Sequence, residues 1–191
     1  VNKALKKSLQ NQFIPAMNYT YTYDDSPITS RRNHLWWQAS VTQAGLVLDG
    51  IYALAGKKFN KEDKELLGNP FAQFIKGTAE IRYNYALGHK QYLVGRLMAG
   101  ASIGPGRYYQ NSDNNKYAYI DRTGDLKFEA NLEYRFPILG DLHGATFLDS
   151  GNIWLIRNDP DRPGGQLKWG SFLKDLALGT GFGLRYDLTF I

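Results

Sequence analysis

The 191-residue sequence contains no cysteine, and nowhere does it hold about 20 consecutive apolar residues. Without cysteine there is neither a disulfide scaffold nor a thiolate metal site. Without a long apolar run there is no helix to cross a bilayer, and the mean hydropathy of −0.43 is that of a chain at ease in water. The excess of positive charge is mild. The net charge is +5, the isoelectric point is near 9.3, and lysine and arginine are spread along the chain. A nucleic-acid binder gathers them on one face or helix, so nucleic acid is not an expected partner. Histidine is scarce: His34, His89 and His143 lie far apart and offer no metal-ligand spacing.

What is present is glycine, aromatic residues and alternation. There are 20 Gly, 13 Tyr, 10 Phe and 4 Trp. From residue 13 the odd positions read Phe13, Pro15, Met17, Tyr19, Tyr21, Tyr23, and the even ones are mostly small or polar. From residue 74, Ile75, Gly77, Ala79, Ile81, Tyr83, Tyr85 and Leu87 alternate with Lys76, Thr78, Glu80, Arg82 and Asn84. Leu126, Phe128, Ala130, Leu132, Tyr134 and Phe136 alternate with Lys127, Glu129, Asn131, Glu133 and Arg135. The last segment sets Leu178, Phe182, Leu184, Tyr186 and Phe190 against Gly179, Gly181, Gly183, Arg185 and Asp187. Weaker strands are expected at 34–46, 91–99 and 144–154, giving seven in all. Period-two patterning puts alternate residues on opposite faces of a sheet. Several of these strands run past about ten residues, against about 5–6 in globular sheets. That length suits a tilted strand crossing a bilayer.

Two architectures meet these observations. A soluble sandwich would pack its apolar face on a second sheet. A membrane barrel turns that face to lipid and collects aromatic residues near its strand ends. The aromatic ends favour an all-β, antiparallel transmembrane β-barrel. Connections at 88–90 and 138–142 are short, whereas those at 47–72, 102–123 and 155–173 are long. Barrels alternate short periplasmic turns with long extracellular loops in this way, which makes 24–33 a longer periplasmic turn. Short helices are expected at 61–67 and at 1–12, where Leu5 and Leu9 are four apart. No signal peptide opens the sequence. Exported barrels also usually have an even strand number. Residues 1–191 are therefore read as a single partial barrel domain, with periplasmic repeats and the last strands absent.

Three stretches resemble one family. Gly124–Pro137 (GDLKFEANLEYRFP) is similar to the strand that follows the long inserted loop in the BamA/TamA-type outer-membrane assembly barrels. Gly144–Trp154 (GATFLDSGNIW) resembles the next strand, with its Phe-x-Asp-x-Gly pattern on Phe147, Asp149 and Gly151, and Leu178–Arg185 (LGTGFGLR) the one after. The resemblance is nearest to Bacteroidetes-type members of this bacterial surface antigen family. It implies a barrel of about 16 strands, sited in the bacterial outer membrane, that inserts or translocates other proteins without catalysis or cofactor. Its partners would be outer-membrane lipid and lipopolysaccharide, client outer-membrane proteins, and accessory lipoproteins or periplasmic proteins. It further implies that Glu133 and Asp149 are inner-wall acids that hold the arginine of an infolded loop, with Arg135, Phe147 and Gly151 as supporting motif. A guanidinium between two carboxylates makes charge-assisted bonds, and Gly151 would leave room for the loop tip.

The loop itself departs from the family. No Arg-Gly-aromatic motif lies between Gly100 and Gly124, and Arg107 is followed by Tyr108. The segment reads as a strand joined directly to the far side of the loop, so residues are expected to be missing at the Gly100–Ala101 junction. Plainer readings stand beside these. Glu133 and Asp149 serve equally as lumen charges paired with Arg135, Arg82 or Arg96. A glycosidase-like carboxylate pair needs more than two acids facing a lumen. Gly179-x-Gly181-x-Gly183 has no following helix and is no dinucleotide fingerprint; it reads as a smooth wall that another segment approaches. The 159–165 segment lacks calcium-ligand spacing. Trp36, Trp37 and Trp154 read as interfacial anchors or loop-packing residues.

A passive pore or adhesin-like barrel is the rival reading, and a soluble β-sandwich binding module is a third. The two classes separate in solvent. Refolding from urea is expected to give a β-type circular-dichroism spectrum in detergent micelles or lipid vesicles and not in plain buffer; a folded product in plain buffer supports the sandwich.

Overall fold

The computed structural model describes residues 14–26, 33–57, 65–71, 73–103, 124–158 and 162–186. The expected helix at 1–12, the start of the first strand at Phe13, Arg107 with the rest of 104–123, residues 159–161 and the final residues 187–191 lie outside these.

In chain order the elements are β1 (Ala16–Asp24), β2 (His34–Ala44), α1 (Leu46–Leu54), β3 (Glu65–Leu66), β4 (Asn69–Pro70), β5 (Phe74–Gly88), β6 (Gln91–Ile103), β7 (Leu126–Leu139), β8 (Leu142–Trp154), α2 (Phe172–Asp175) and β9 (Ala177–Tyr186). Seven strands form one sheet in the order β1-β2-β5-β6-β7-β8-β9, every pair antiparallel. This is an up-and-down meander, with the small β3–β4 hairpin inside the β2–β5 connection. The seven expected strands are all present, several of them longer than expected.

Turn chemistry accounts for the boundaries. β2 stops at Ala44 because Gly45 takes a φ of 68°, a conformation glycine adopts without strain. β7 and β8 meet through Gly140 and Asp141, with φ 56° at Gly140, the positive value that two-residue hairpin loops require. The helix expected at 61–67 is not found in its described part: Leu67 and Gly68 have φ of 54° and 75°, and fold Glu65–Leu66 back on Asn69–Pro70. A helix forms instead at Leu46–Leu54, inside what reads as a plain loop. β6 also runs without interruption through Gly100 and Ala101, which pair with Lys127 and Leu126. The expected junction there is ordinary strand backbone. Just beyond it, Ser102 N–H donates to the Asp125 carbonyl at 2.7 Å, and Asp125 N–H to the Trp154 carbonyl at 2.8 Å, which ties three strands together at the long-loop end. Burial pushes the Asp125 carboxyl above its usual range, although Ile156 N–H donates to it.

The faces follow the parity of the sequence. One carries Tyr19, Tyr21, Val41, Ile81, Tyr83, Leu97, Leu132, Leu148, Leu178 and Phe182, and these stand open, the described protein covering this face only at the long-loop end. Leu178 is 73% exposed, Phe182 59% and Leu97 51%. The few buried apolar residues among those described (Ala44, Phe71, Phe74, Trp154 and Leu155) sit toward the long-loop end rather than across the sheet. A sandwich would have buried the middle of this face. Contiguous apolar surface of this extent marks contact with another protein or with membrane, and aromatic side chains at both ends of it mark a barrel wall.

Dimensions agree with a membrane wall. On β7 the outward aromatic residues are Phe128 at one end and Tyr134 and Phe136 at the other. Phe128 to Phe136 spans about 27 Å along the strand at roughly 3.4 Å per residue. The aromatic belt also drifts across the ladder. The residue reached from Trp37 by following hydrogen-bonded partners to β9 is Leu178, whereas the β9 aromatics are Phe182 and Tyr186. At about 3.3 Å per residue and about 4.8 Å between strands, that drift is a strand tilt of roughly 30–48°, which brackets the roughly 35–45° of membrane barrels. A tilt of about 40° turns 27 Å along β7 into about 21 Å of height, near the roughly 25 Å apolar band of such barrels.

Depth along this face sets the cost of a charge. Leu132→Arg, midway between the β7 aromatics, is expected to destabilise the folded state by about 2–4 kcal/mol in lipid vesicles, and Tyr85→Arg near the short-turn rim by about 0–1 kcal/mol. Urea titration followed by tryptophan fluorescence measures both; equal costs would sink the depth assignment.

Candidate functional site

The opposite face of the same strands is polar and carries an ion-pair network across its centre. Arg82 and Arg96 face each other directly in the β5–β6 register, an arrangement that is repulsive by itself. Glu80 resolves it. Its Oε1 accepts from Nε of both Arg82 and Arg96, the latter at 2.8 Å, and its Oε2 accepts from Arg96 Nη2 at 3.1 Å. Arg96 Nη1 donates onward to Glu129 at 2.8 Å and to Asn131 at 2.9 Å, both on β7. Lys127 Nζ lies 2.9 Å from Glu129. Arg82 also lies over the Trp36 ring, 4.6 Å from its centroid. Trp36 thus belongs to the inner wall, while Trp37 stands outside against Tyr21 and Tyr23.

From Asn131 the network continues to the expected site. Asn131 Nδ2 donates to Asp149 Oδ1 at 2.8 Å across the β7–β8 ladder. Glu133 is two residues further along β7 and pairs with Arg135 on its own strand at 2.8 Å. Glu133, Arg135, Phe147 and Asp149 line one inner-wall depression of about 410 Å³, together with Arg82, Val94, Arg96 and Asn131. Parity and register therefore bring both acids and their supporting Arg135 and Phe147 together.

Gly151 plays another part than expected. A Cβ there would meet the Phe128 carbonyl oxygen at 2.8 Å, so its missing side chain admits the β7 backbone rather than a loop tip. The room beside Asp149 comes from β9. Gly179 is the ladder partner of Asp149, and nothing lies within 4 Å of where its Cβ would be. Gly181 serves as the seat of the Phe147 ring, which its Cβ would overlap. The Asp149 carboxylate thus has one amide donor on the β7 side, bare backbone on the β9 side, and no cationic side chain in an ion pair with it among the described residues. Glu133, by contrast, already has its cation, as the plainer reading of a paired lumen charge anticipates.

Residues 99–191 match the Omp85 superfamily domain. These residues belong to the Omp85 superfamily. The match takes in the end of β6 and all of β7, β8 and β9, and with them Glu133 and Asp149. Omp85 proteins are β-barrels of the outer membrane that insert or translocate proteins, and as a family they are assembly components rather than enzymes. Among curated proteins no match to the chain is found.

The inner wall of this sheet is organised around Arg96, Glu80 and Glu129, which alternation alone does not single out. Glu80→Gln is expected to cost about 1–3 kcal/mol, the range for a part-buried charged hydrogen bond left unmade, because it leaves Arg82 and Arg96 opposed. Arg135→Met, which breaks a pair within one strand, is expected to cost only about 0.2–1 kcal/mol. A double-mutant cycle by urea unfolding in vesicles should find Glu80→Gln/Arg96→Met more stable than the sum of its parts; strict additivity would show that Glu80 does not hold the two arginines.

Proposed function

We propose that this chain forms seven consecutive strands of an outer-membrane assembly or translocation barrel of about 16 strands, acting without catalysis or cofactor. The observation that carries the reading is Asp149. It is a half-buried inner-wall carboxylate held by one amide, beside a glycine strip that leaves its other side open, within residues that match the Omp85 domain. In this proposal Asp149 and Glu133 receive a cationic loop tip, with the Asn131 amide fixing the Asp149 carboxylate and Phe147 fixing the edge of the seat. A guanidinium arriving there would make bidentate, charge-assisted bonds to half-buried carboxylates, where they are stronger than at a fully exposed surface. Glu133 would have to share or release Arg135, so Asp149 is the primary contact. The long-loop end faces the cell exterior and the short turns face the periplasm, as in other membrane barrels. The partners are outer-membrane lipid and lipopolysaccharide, client outer-membrane proteins, and accessory lipoproteins or periplasmic proteins.

Insertion of a client barrel into vesicles by the full-length protein tests this. Losing a charged hydrogen bond costs roughly 1.5–3 kcal/mol, so Asp149→Asn is expected to lower the held-loop population, and the insertion rate with it, about tenfold or more. Glu133→Gln should have the smaller effect. Protease sensitivity of the long loops should rise in step. An unchanged rate and unchanged cleavage in Asp149→Asn would overturn the assignment and leave a passive barrel as the better reading.

A further inference from the structure

The connection between β8 and β9 is built onto the outer face of the sheet. Phe172 stacks on Trp154 with ring centroids 5.2 Å apart and meets Phe128 edge-on at 5.5 Å. Both partners have outward parity on their strands. The Asn152 amide, also outward, donates to the Asp175 carbonyl. Ser171 closes the turn, with its N–H on the Lys168 carbonyl and its hydroxyl on the Asp175 carboxylate at 2.8 Å. Leu155 N–H donates to the Gly165 carbonyl and Leu167 N–H to the Leu155 carbonyl, which holds the rest of the connection to the strand end. The segment is therefore fixed against the wall at the long-loop rim.

What it presents outward is not explained by that packing. Trp169 is 83% exposed and Leu173 79% exposed. Lys168 and Lys174 flank them, also exposed, and neither ammonium is in an ion pair among the described residues. A large indole and a leucine between two cations, beside the outward aromatic cluster of Phe128, Trp154 and Phe172, match the layered chemistry of a bilayer edge. Tryptophan favours the headgroup level, apolar side chains the acyl boundary below it, and lysine the phosphates above. A protein partner would have to match a small patch at the edge of a surface already given to lipid.

We propose that residues 168–174 are an interfacial membrane anchor on the outside of the barrel. Trp169 and Leu173 seat at the headgroup–acyl boundary of the leaflet on the long-loop side, and Lys168 and Lys174 hold the phosphates of lipid headgroups. The anchor rests on the reading of this sheet as a membrane wall, and it goes beyond the inner-wall site because it fixes the height of the wall in the bilayer.

Nitroxide labels in the full-length protein test it, in vesicles of phosphatidylcholine with and without phosphatidylglycerol. Labels go on Trp169→Cys and Leu173→Cys, with Leu132→Cys as a mid-wall reference and Pro163→Cys as a loop reference. Collisions with oxygen, which enters lipid, are compared with those of a water-soluble nickel chelate. The ratio at 169 and 173 is expected to be several-fold above that at 163 and below that at 132. With phosphatidylglycerol present, the Lys168→Glu/Lys174→Glu pair should move the label at 173 toward the loop value. Water-like labels at 169 and 173 with a lipid-like 132 overturn the anchor alone. Labels shielded from both colliders mean protein contact and overturn it too. A water-like 132 overturns the membrane wall itself, and an unchanged ratio in the lysine variant overturns the headgroup contact.

Discussion

A β-sheet satisfies its backbone polar groups through its neighbours but leaves both faces to find a medium of their own. Here one face finds its partners within the protein, through arginine, lysine, glutamate and asparagine side chains linked across four strands. The other finds none. Its tyrosines, leucines and phenylalanines stand open along the sheet, and only the long-loop end is covered by other parts of the chain. Water cannot be the medium for that surface without a large unfavourable apolar exposure. A lipid medium removes the penalty, and it simultaneously makes the ladder obligatory, because an unpaired N–H or C=O in hydrocarbon has nothing to bond to. The wall, its aromatic edges and its inner network all follow from that choice of solvent.

The inner wall shows how like charges are accommodated. Arg82 opposite Arg96 would repel across the ladder, so their place depends on Glu80 between them and on Glu129 beyond. The chain of bonds then reaches Asp149 through an amide instead of a cation. An amide orients the carboxylate without neutralising it. The carboxylate is oriented with no cation paired to it among the described residues, the arrangement that the proposed guanidinium seat requires.

Much of this is legible in the sequence. Period-two patterning placed Glu133 on the polar face and Leu132 on the apolar one, because parity along a strand is a local property. The Phe-x-Asp-x-Gly pattern put Phe147 and Asp149 on one face for the same reason. What was not legible depends on register between strands. Nothing local says that Arg96 meets Glu80 on one side and Glu129 on the other, or that the opening beside Asp149 comes from Gly179 and not from Gly151. Helix α1 was missed although Val47, Ile51 and Leu54 have helical spacing, since a long connection between strands reads as loop. At Leu67 and Gly68 the positive φ values are incompatible with continuing a helix, a turn that side-chain spacing does not announce.

The slant of the aromatic belt has one more consequence. Inside–outside alternation protects a strand from slipping by one residue, because every side chain would change face. It offers no protection against a slip of two, which keeps each face intact. Such a slip would carry an aromatic residue about 7 Å along its strand, out of line with those on neighbouring strands and out of the thin layer where indole and phenol rings are most at home. Tyr134 and Phe136 on β7, level with Phe182 on β9 across the intervening strand, therefore act as index marks. The bilayer reads them, and in doing so proofreads a pairing that the chain's own alternation leaves ambiguous.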